Sequence, residues 1–198
     1  AEAKAVARSP SPVHDYTAAV GNRLAADRKN EAEAEIAGWN AVVSAVSGRN
    51  PSPTLKDIYE YAPSRMVDFI DKSGSYTSPS YALKPNLSLN HDLTISPTRD
   101  NVEAMGANYF DQPGGQAHLG HYGHSDYANH YGASAIADVV RFERRYNPPR
   151  RDGESPRIAI NMAALRLDEK LLEENGINLG KNTQPMPYHD ISSTPASL

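Results

Sequence analysis

The sequence predicts an α+β fold: mostly helical, with a small sheet and long irregular loops. Three observations lead there. Residues 14–47 are rich in alanine and glutamate, and Ile36, Trp39, Val43 and Val46 recur at the spacing of one helical face. Residues 125–146 carry a second such set in Tyr127, Tyr131, Ile136, Val139, Val140 and Phe142. Short apolar runs, LSLNHDLTI at 87–95 and RIAINMAAL at 157–165, suit strands instead.

Taken in order, residues 1–12 (AEAKAVARSPSP) read as a flexible lead. They show no initiator methionine and no apolar signal core, so a trimmed piece of a longer chain is expected. The first helix ends at Gly48 and the RNPSP that follows; Gly21 and Gly38 leave open whether it is one helix or two. A second helix is expected over 54–74, with Thr54 and Asp57 as a capping box and Pro63 breaking it at Ala62. Edge-type strands are expected over 87–95, where Pro79, Pro85 and Pro97 keep elements short. Thr98 caps a helix over RDNVEAMGANYF, and DQPGGQ at 111–116 is a turn. Ser125 or Asp126 caps the helix to Tyr146. RIAINMAAL is then the best strand, and LDEKLLEENGI a short helix ended by Gly176. The expected division is a single globular domain over 13–178, with a helical part at 13–74 and a site-bearing part at 75–178. An extended tail covers 179–198.

Composition narrows the chemistry. Hydrophobic residues are 39% and charged residues 22%, with 15 prolines and 13 glycines, so a modest core under irregular surface is expected. The net charge of −4 gives no global field for nucleic acid, which would need a local basic patch. With no cysteine, disulfides, thiolate metal sites and cysteine nucleophiles are excluded. No run of about 18 apolar residues is present, so no transmembrane segment is expected and the chain reads as soluble. Neither GxxxxGK[ST], GxGxxG nor GxSxG occurs. ERRYNPPRR offers Arg144, Arg145, Arg150 and Arg151 around Tyr146, either a phosphate contact or a solvated basic turn.

The chemistry concentrates in HLGHYGHSDYANHYGASAIAD, residues 118–138, which hold four of the seven histidines. Two phrases, HYGHSDYAN and HYGASAIAD, align at an offset of nine. Nine residues advance a helix by 900° and reverse the face of a strand, so one regular element cannot aim both copies at one ligand. His118, His121 and His124 recur at spacing three with ligand chemistry suited to a divalent metal, but Gly120 and Gly123 make that segment a loop. His130 instead sits on a helix, with Ser134 at i+4, Asp138 at i+8 and Asp126 at i−4. Around it Tyr109, Phe110, Tyr122, Tyr127 and Tyr131 supply aromatic surface.

The run NYFDQPGG…SDYANHYGASAIA resembles the core of a bacterial polymorphic-toxin domain, the family called bacterial toxin 44. That family pairs an aromatic–GG turn with a D-[aromatic]-G-N-[aromatic]-x-Y-G-A segment. The matching positions are Phe110, Gly114, Gly115, Asp126, Tyr127, Asn129, Tyr131, Gly132 and Ala133, within residues 108–137, while Ala128 stands where glycine is expected. The resemblance implies a class and no fold: a secreted bacterial effector or toxin domain, delivered into a target cell. It would act on a macromolecular substrate or a host or target-cell protein, with an immunity protein or chaperone as further partner.

Three readings of the site follow. The first is hydrolase-type acid–base chemistry on a nucleic acid or glycan, centred on residues 109–138 and needing no cofactor. Here His130 is the acid or base, Asp126 orients it and Ser134 lies beside it, with His121, His124, Tyr127, Tyr131 and Arg144 contacting substrate. The second is a non-enzymatic interaction module presenting the Tyr/His/Gly loop. The third is a metal-dependent hydrolase using His118, His121 and His124 on a divalent ion.

Overall fold

The computed structural model describes residues 2–148, 157–177 and 186–193. Among them lie eight α-helices and five short strands. In chain order these are α1 (Glu2–Ala7), β1 (His14–Asp15), α2 (Thr17–Ser47), α3 (Leu55–Tyr61), α4 (Pro63–Met66), β2 (Ile70–Ser75) and β3 (Ser78–Leu83). There follow α5 (Arg99–Met105), α6 (Tyr127–Tyr146), β4 (Ile158–Ile160), α7 (Met162–Leu165), α8 (Glu169–Glu174) and β5 (His189–Asp190). A π-helical turn, Gly106–Phe110, prolongs α5. The fold is α+β and mostly helical. Its chain divides into two compact units, residues 1–27 with 113–198, and residues 28–112, so the division expected at 74/75 falls inside the second.

In the unit of residues 1–27 and 113–198, β1, β4 and β5 form a parallel sheet in that order, with His14 opposite Ile158 and Ala159 opposite His189. The central strand Ile158-Ala159-Ile160 is buried at every position, which is why it reads as an unbroken apolar run. From α6, Ile136, Val139 and Val140 pack with Tyr16, Val20, Ile160, Leu172 and Tyr188. Gly132 permits the close approach of Leu167, whose Cδ2 would stand 2.7 Å from a Cβ there.

Two expectations fail in this unit. Residues 1–12 are not simply a flexible lead. The alanine-rich start forms α1, Ala7 is buried in the core cluster, and Asn147 Nδ2 donates to its carbonyl at 2.8 Å. Nor is the described part of 179–198 an extended tail: Tyr188 is buried and residues 189–190 add β5 to the sheet. The remaining expectations for 178–185 and 194–198, and those for Arg150 and Arg151, lie outside the described residues.

A buried polar group ties the same unit together. Tyr16 donates from its hydroxyl to Glu143 Oε2 at 2.5 Å, His14 Nδ1 lies 2.9 Å from Glu143 Oε1, and Asn147 Nδ2 donates to that oxygen at 2.9 Å. The other ring nitrogen of His14 meets the carbonyl of Ser9 at 3.1 Å. Burial, reinforced by Glu143 as hydrogen-bond partner and charge, pushes the Tyr16 phenol well above its usual range.

In the unit of residues 28–112, α2 continues without a break through Gly38. A Cβ at that position would run into the Arg65 guanidinium, so glycine leaves room for the Arg65–Glu35 pair at 3.2 Å. The Ile36, Trp39, Val43, Val46 stripe is buried as its spacing predicts. Thr54 and Asp57 form the expected capping box, and Ala62 marks the break before α4. Arg28 grips both Glu103, at 2.8 Å, and Asp111, at 2.8 Å; Gly106, at the start of the π turn, lies against its guanidinium.

The sheet signal here was misplaced. The expected helix to Gly74 stops at Met66, and residues 70–83 form the β2–β3 hairpin, registered Ile70 to Leu83 through Ser75 to Ser78. The run 87–95 forms no strand. Its leucines and Ile95 turn inward, while side-chain amides take over the role of a ladder. Asn40 accepts from Ile95 N and donates to Ile95 O, Asn101 does the same across Ser88, and Trp39 Nε1 reaches Leu93 O at 2.8 Å.

Candidate functional site

The histidine-rich stretch divides at Ser125. Before it, residues 119–125 make a tight loop closed by the Leu119–Ser125 bridge, with Ser125 N donating to Leu119 O at 3.0 Å. After it, Asp126 caps α6, its Oδ1 accepting from Asn129 N at 2.7 Å and Asn129 Nδ2 at 2.8 Å. The aligned HYG phrases therefore lie on different elements and do not act as a repeat.

The loop wraps the end of α8. His121 N donates to Glu174 O at 2.9 Å, and His124 N to Glu174 Oε2 at 3.3 Å. Gly120 makes this possible: it adopts φ +80°, and a Cβ there would stand 2.9 Å from Glu174 Oε2. Gly114 of the GG turn likewise lies against the His124 carbonyl, 2.8 Å from where its Cβ would be. Both glycines press the loop onto Glu174, whose carboxylate meets His124 Nδ1 at 2.9 Å. The ring of His124 is 72% exposed and its partner only 12%.

The next residue holds the second histidine. His130 Nδ1 is 2.9 Å from Asn175 Oδ1. The amide cannot be the other way round: Asn175 Nδ2 donates to the carbonyl of Leu171 at 2.7 Å, a group that only accepts, and to Ser125 Oγ at 2.6 Å. Hence His130 donates from Nδ1, and its neutral form carries the free electron pair on Nε2. In His124 the Glu174 carboxylate sets the same tautomer. Two exposed imidazoles thus hang from consecutive residues, each fixed at Nδ1, with Nε2 atoms that bond to no described residue. Tyr122, 67% exposed, stands beside both loop histidines, its ring 4.6 Å from that of His121 and 6.2 Å from that of His124.

Several expected roles change. Asp126 does not orient His130, because its carboxylate is occupied by Asn129 as the helix cap. Ser134 is exposed and shares no hydrogen bond with His130. Arg144 lies fourteen residues along the same helix, about 21 Å away at 1.5 Å per residue, so only an extended polymer would reach both it and His130. Tyr131 meets His130 edge to face at 5.4 Å, and Tyr127 opens α6. His118, His121 and His124 do not converge. Among the described residues no group of three or more His, Asp or Glu side chains is placed to hold a metal ion.

Glu174 and Asn175 were not candidates from the sequence, where LDEKLLEENGI reads as a short helix ended by Gly176. Their only local signal is Gly176, at φ +103°, which ends α8 with Asn175 at its cap. Compared with family models, with curated proteins and with solved structures, the chain finds no significant match. Among the described residues no helix is long and apolar enough to cross a membrane.

Proposed function

We propose that the chain is a hydrolase-type acid–base domain of the bacterial effector or toxin class, acting on a nucleic acid or glycan through His124 and His130. One observation carries this: two exposed imidazoles, each oriented at Nδ1 by a fixed side chain, share one end of α8. Hydrolysis needs one group to take a proton from the attacking water and another to return one to the leaving oxygen. At His124 the proton is gained at Nε2 while the Glu174 carboxylate faces the resulting imidazolium, the same logic as a carboxylate-oriented base. In its doubly protonated form His130 gives the Nε2 proton to the leaving oxygen, its Nδ1–H staying on Asn175, and exchange with solvent then restores both rings. The effector class, delivery into a target cell and an immunity-type partner rest on the resemblance of residues 108–137.

The test is cleavage of labelled RNA, DNA and oligosaccharides by the whole chain, beside His124→Ala and His130→Ala. Cleavage of one substrate class is expected, falling about a hundredfold or more in each variant. Undiminished cleavage by the double variant would overturn the assignment. No cleavage, combined with capture of a protein partner that depends on Tyr122, would favour the interaction-module reading, which the exposure of that tyrosine supports.

A further inference from the structure

The unit of residues 28–112 carries an open groove of about 610 Å³ between α3 and the β2–β3 hairpin. Lys56 and Glu60 line it from α3, Lys72, Ser73 and Ser75 from β2, and Tyr76 and Thr77 from the turn. We propose that this groove binds single-stranded nucleic acid, with Tyr76 stacking on a base and Lys72 meeting the neighbouring phosphate.

Three features point to this chemistry. Lys72 forms no salt bridge with any described residue. Its ammonium instead lies over the rings of Tyr59 and Tyr81, 5.6 and 5.7 Å from their centroids, which position the cation without neutralising it. The one carboxylate of the groove, Glu60, is already engaged, with Lys56 Nζ at 3.9 Å and the Tyr81 hydroxyl at 3.5 Å. A free positive charge among hydroxyls suits an anion, where a sugar would need uncommitted carboxylate or amide groups. Finally, Tyr76 is wholly exposed at the hairpin tip, 101% by relative area, with no apolar neighbour to cover its faces. A flat ring beside a free cation matches the alternating base and phosphate of a single strand, whereas a duplex hides its base faces. The size lies within the range of ordinary ligand clefts.

The experiment is anisotropy of fluorescein-labelled oligo(dT) with the whole chain over a salt series. It is repeated in the His124→Ala, His130→Ala background, so that binding is read apart from any cleavage and stands or falls separately from the acid–base assignment. One phosphate contact predicts a slope of log K against log salt of about −0.7, lost in Lys72→Gln and restored in Lys72→Arg. Tyr76→Ala should weaken binding about tenfold at fixed salt and leave the slope alone. Because Tyr76 touches no core, its loss does not threaten the fold, which circular dichroism verifies. Absence of saturable binding would overturn the proposal. So would wild-type affinity in both Lys72→Gln and Tyr76→Ala, or binding of duplex DNA or heparin as tight as oligo(dT).

Discussion

His14 Nδ1 lies 2.9 Å from Glu143 Oε1, and both side chains are sealed from solvent although 129 positions separate them in the chain. Glu143 is also the acceptor for Tyr16 and Asn147, so its removal takes a partner from three polar groups at once. Glu143→Ala should lower the unfolding free energy by about 3–5 kcal/mol, the range for breaking a buried charged pair. Urea denaturation measures it, and a change below about 1 kcal/mol would show that the group is not sealed as described.

Two buried tyrosines should respond differently to loss of the hydroxyl. Tyr16→Phe deprives Glu143 Oε2 of its donor and should cost about 1–3 kcal/mol. The hydroxyl of Tyr188 is buried without a partner among the described residues, so Tyr188→Phe should be neutral or stabilising. Burial, the leading cause in each case, pushes both phenols well above their usual range. The folded chain thus keeps these protons where the unfolded one releases them, so stability should fall once pH climbs past about 10. Thermal melts of the native chain and both variants at neutral and alkaline pH check both statements.

Burial also raises the carboxyl of Asp68 from its ordinary 3.8, with the Gln112 amide and Lys84 opposing. Since the folded state holds that proton to higher pH than the unfolded chain, stability declines as pH rises through this window. Asp68→Asn removes the charge and keeps an oxygen for Gln112 Nε2, which now meets Asp68 Oδ1 at 2.7 Å. The variant should melt higher than the native chain at pH 7 and lose that advantage below about pH 3. An equal gain at both pH values would refute the role of ionisation.

At the candidate site, Gly120→Ala must fit a side chain into a left-handed conformation against Glu174. A cost of about 1–2 kcal/mol is expected from the backbone alone. The readout specific to the site is the tautomer of His124 and His130 by long-range ¹⁵N–¹H correlation. Both neutral rings should be protonated at Nδ1 in the native chain, and His124 should lose that bias in Glu174→Gln or Gly120→Ala. Protonation of His130 at Nε2 would contradict its bond to Asn175.

What the sequence disclosed follows the range of the forces involved. Caps are local, so Thr54 with Asp57 and the start of α6 at Asp126 were legible, as was the Ile36–Val46 stripe. The hairpin was not, because β2 is exposed at every position after Ile70 and β3 alternates only weakly, through half-buried Pro79, Tyr81 and Leu83. Conversely, 87–95 has the alternation without the strands, because Trp39 and Asn40, 54 and 55 positions before their partners, and Asn101 of α5 bond its backbone. The same holds for the site. His124 and His130 were visible as residues, but their partners Glu174 and Asn175 come from fifty and forty-five positions away. Asp126, the neighbour in sequence, was already taken.

The insertion of residues 28–112 between the two parts of the other unit sets an order of events during synthesis. As the chain leaves the ribosome, the inserted unit is complete before Glu143 or β4 has been made. His14 and Tyr16 emerge early and must wait, uncovered, for partners translated more than a hundred residues later. The inserted unit is the part a nascent chain can finish first, while the histidine pair is assembled only once α8, close to the end of the described chain, has emerged.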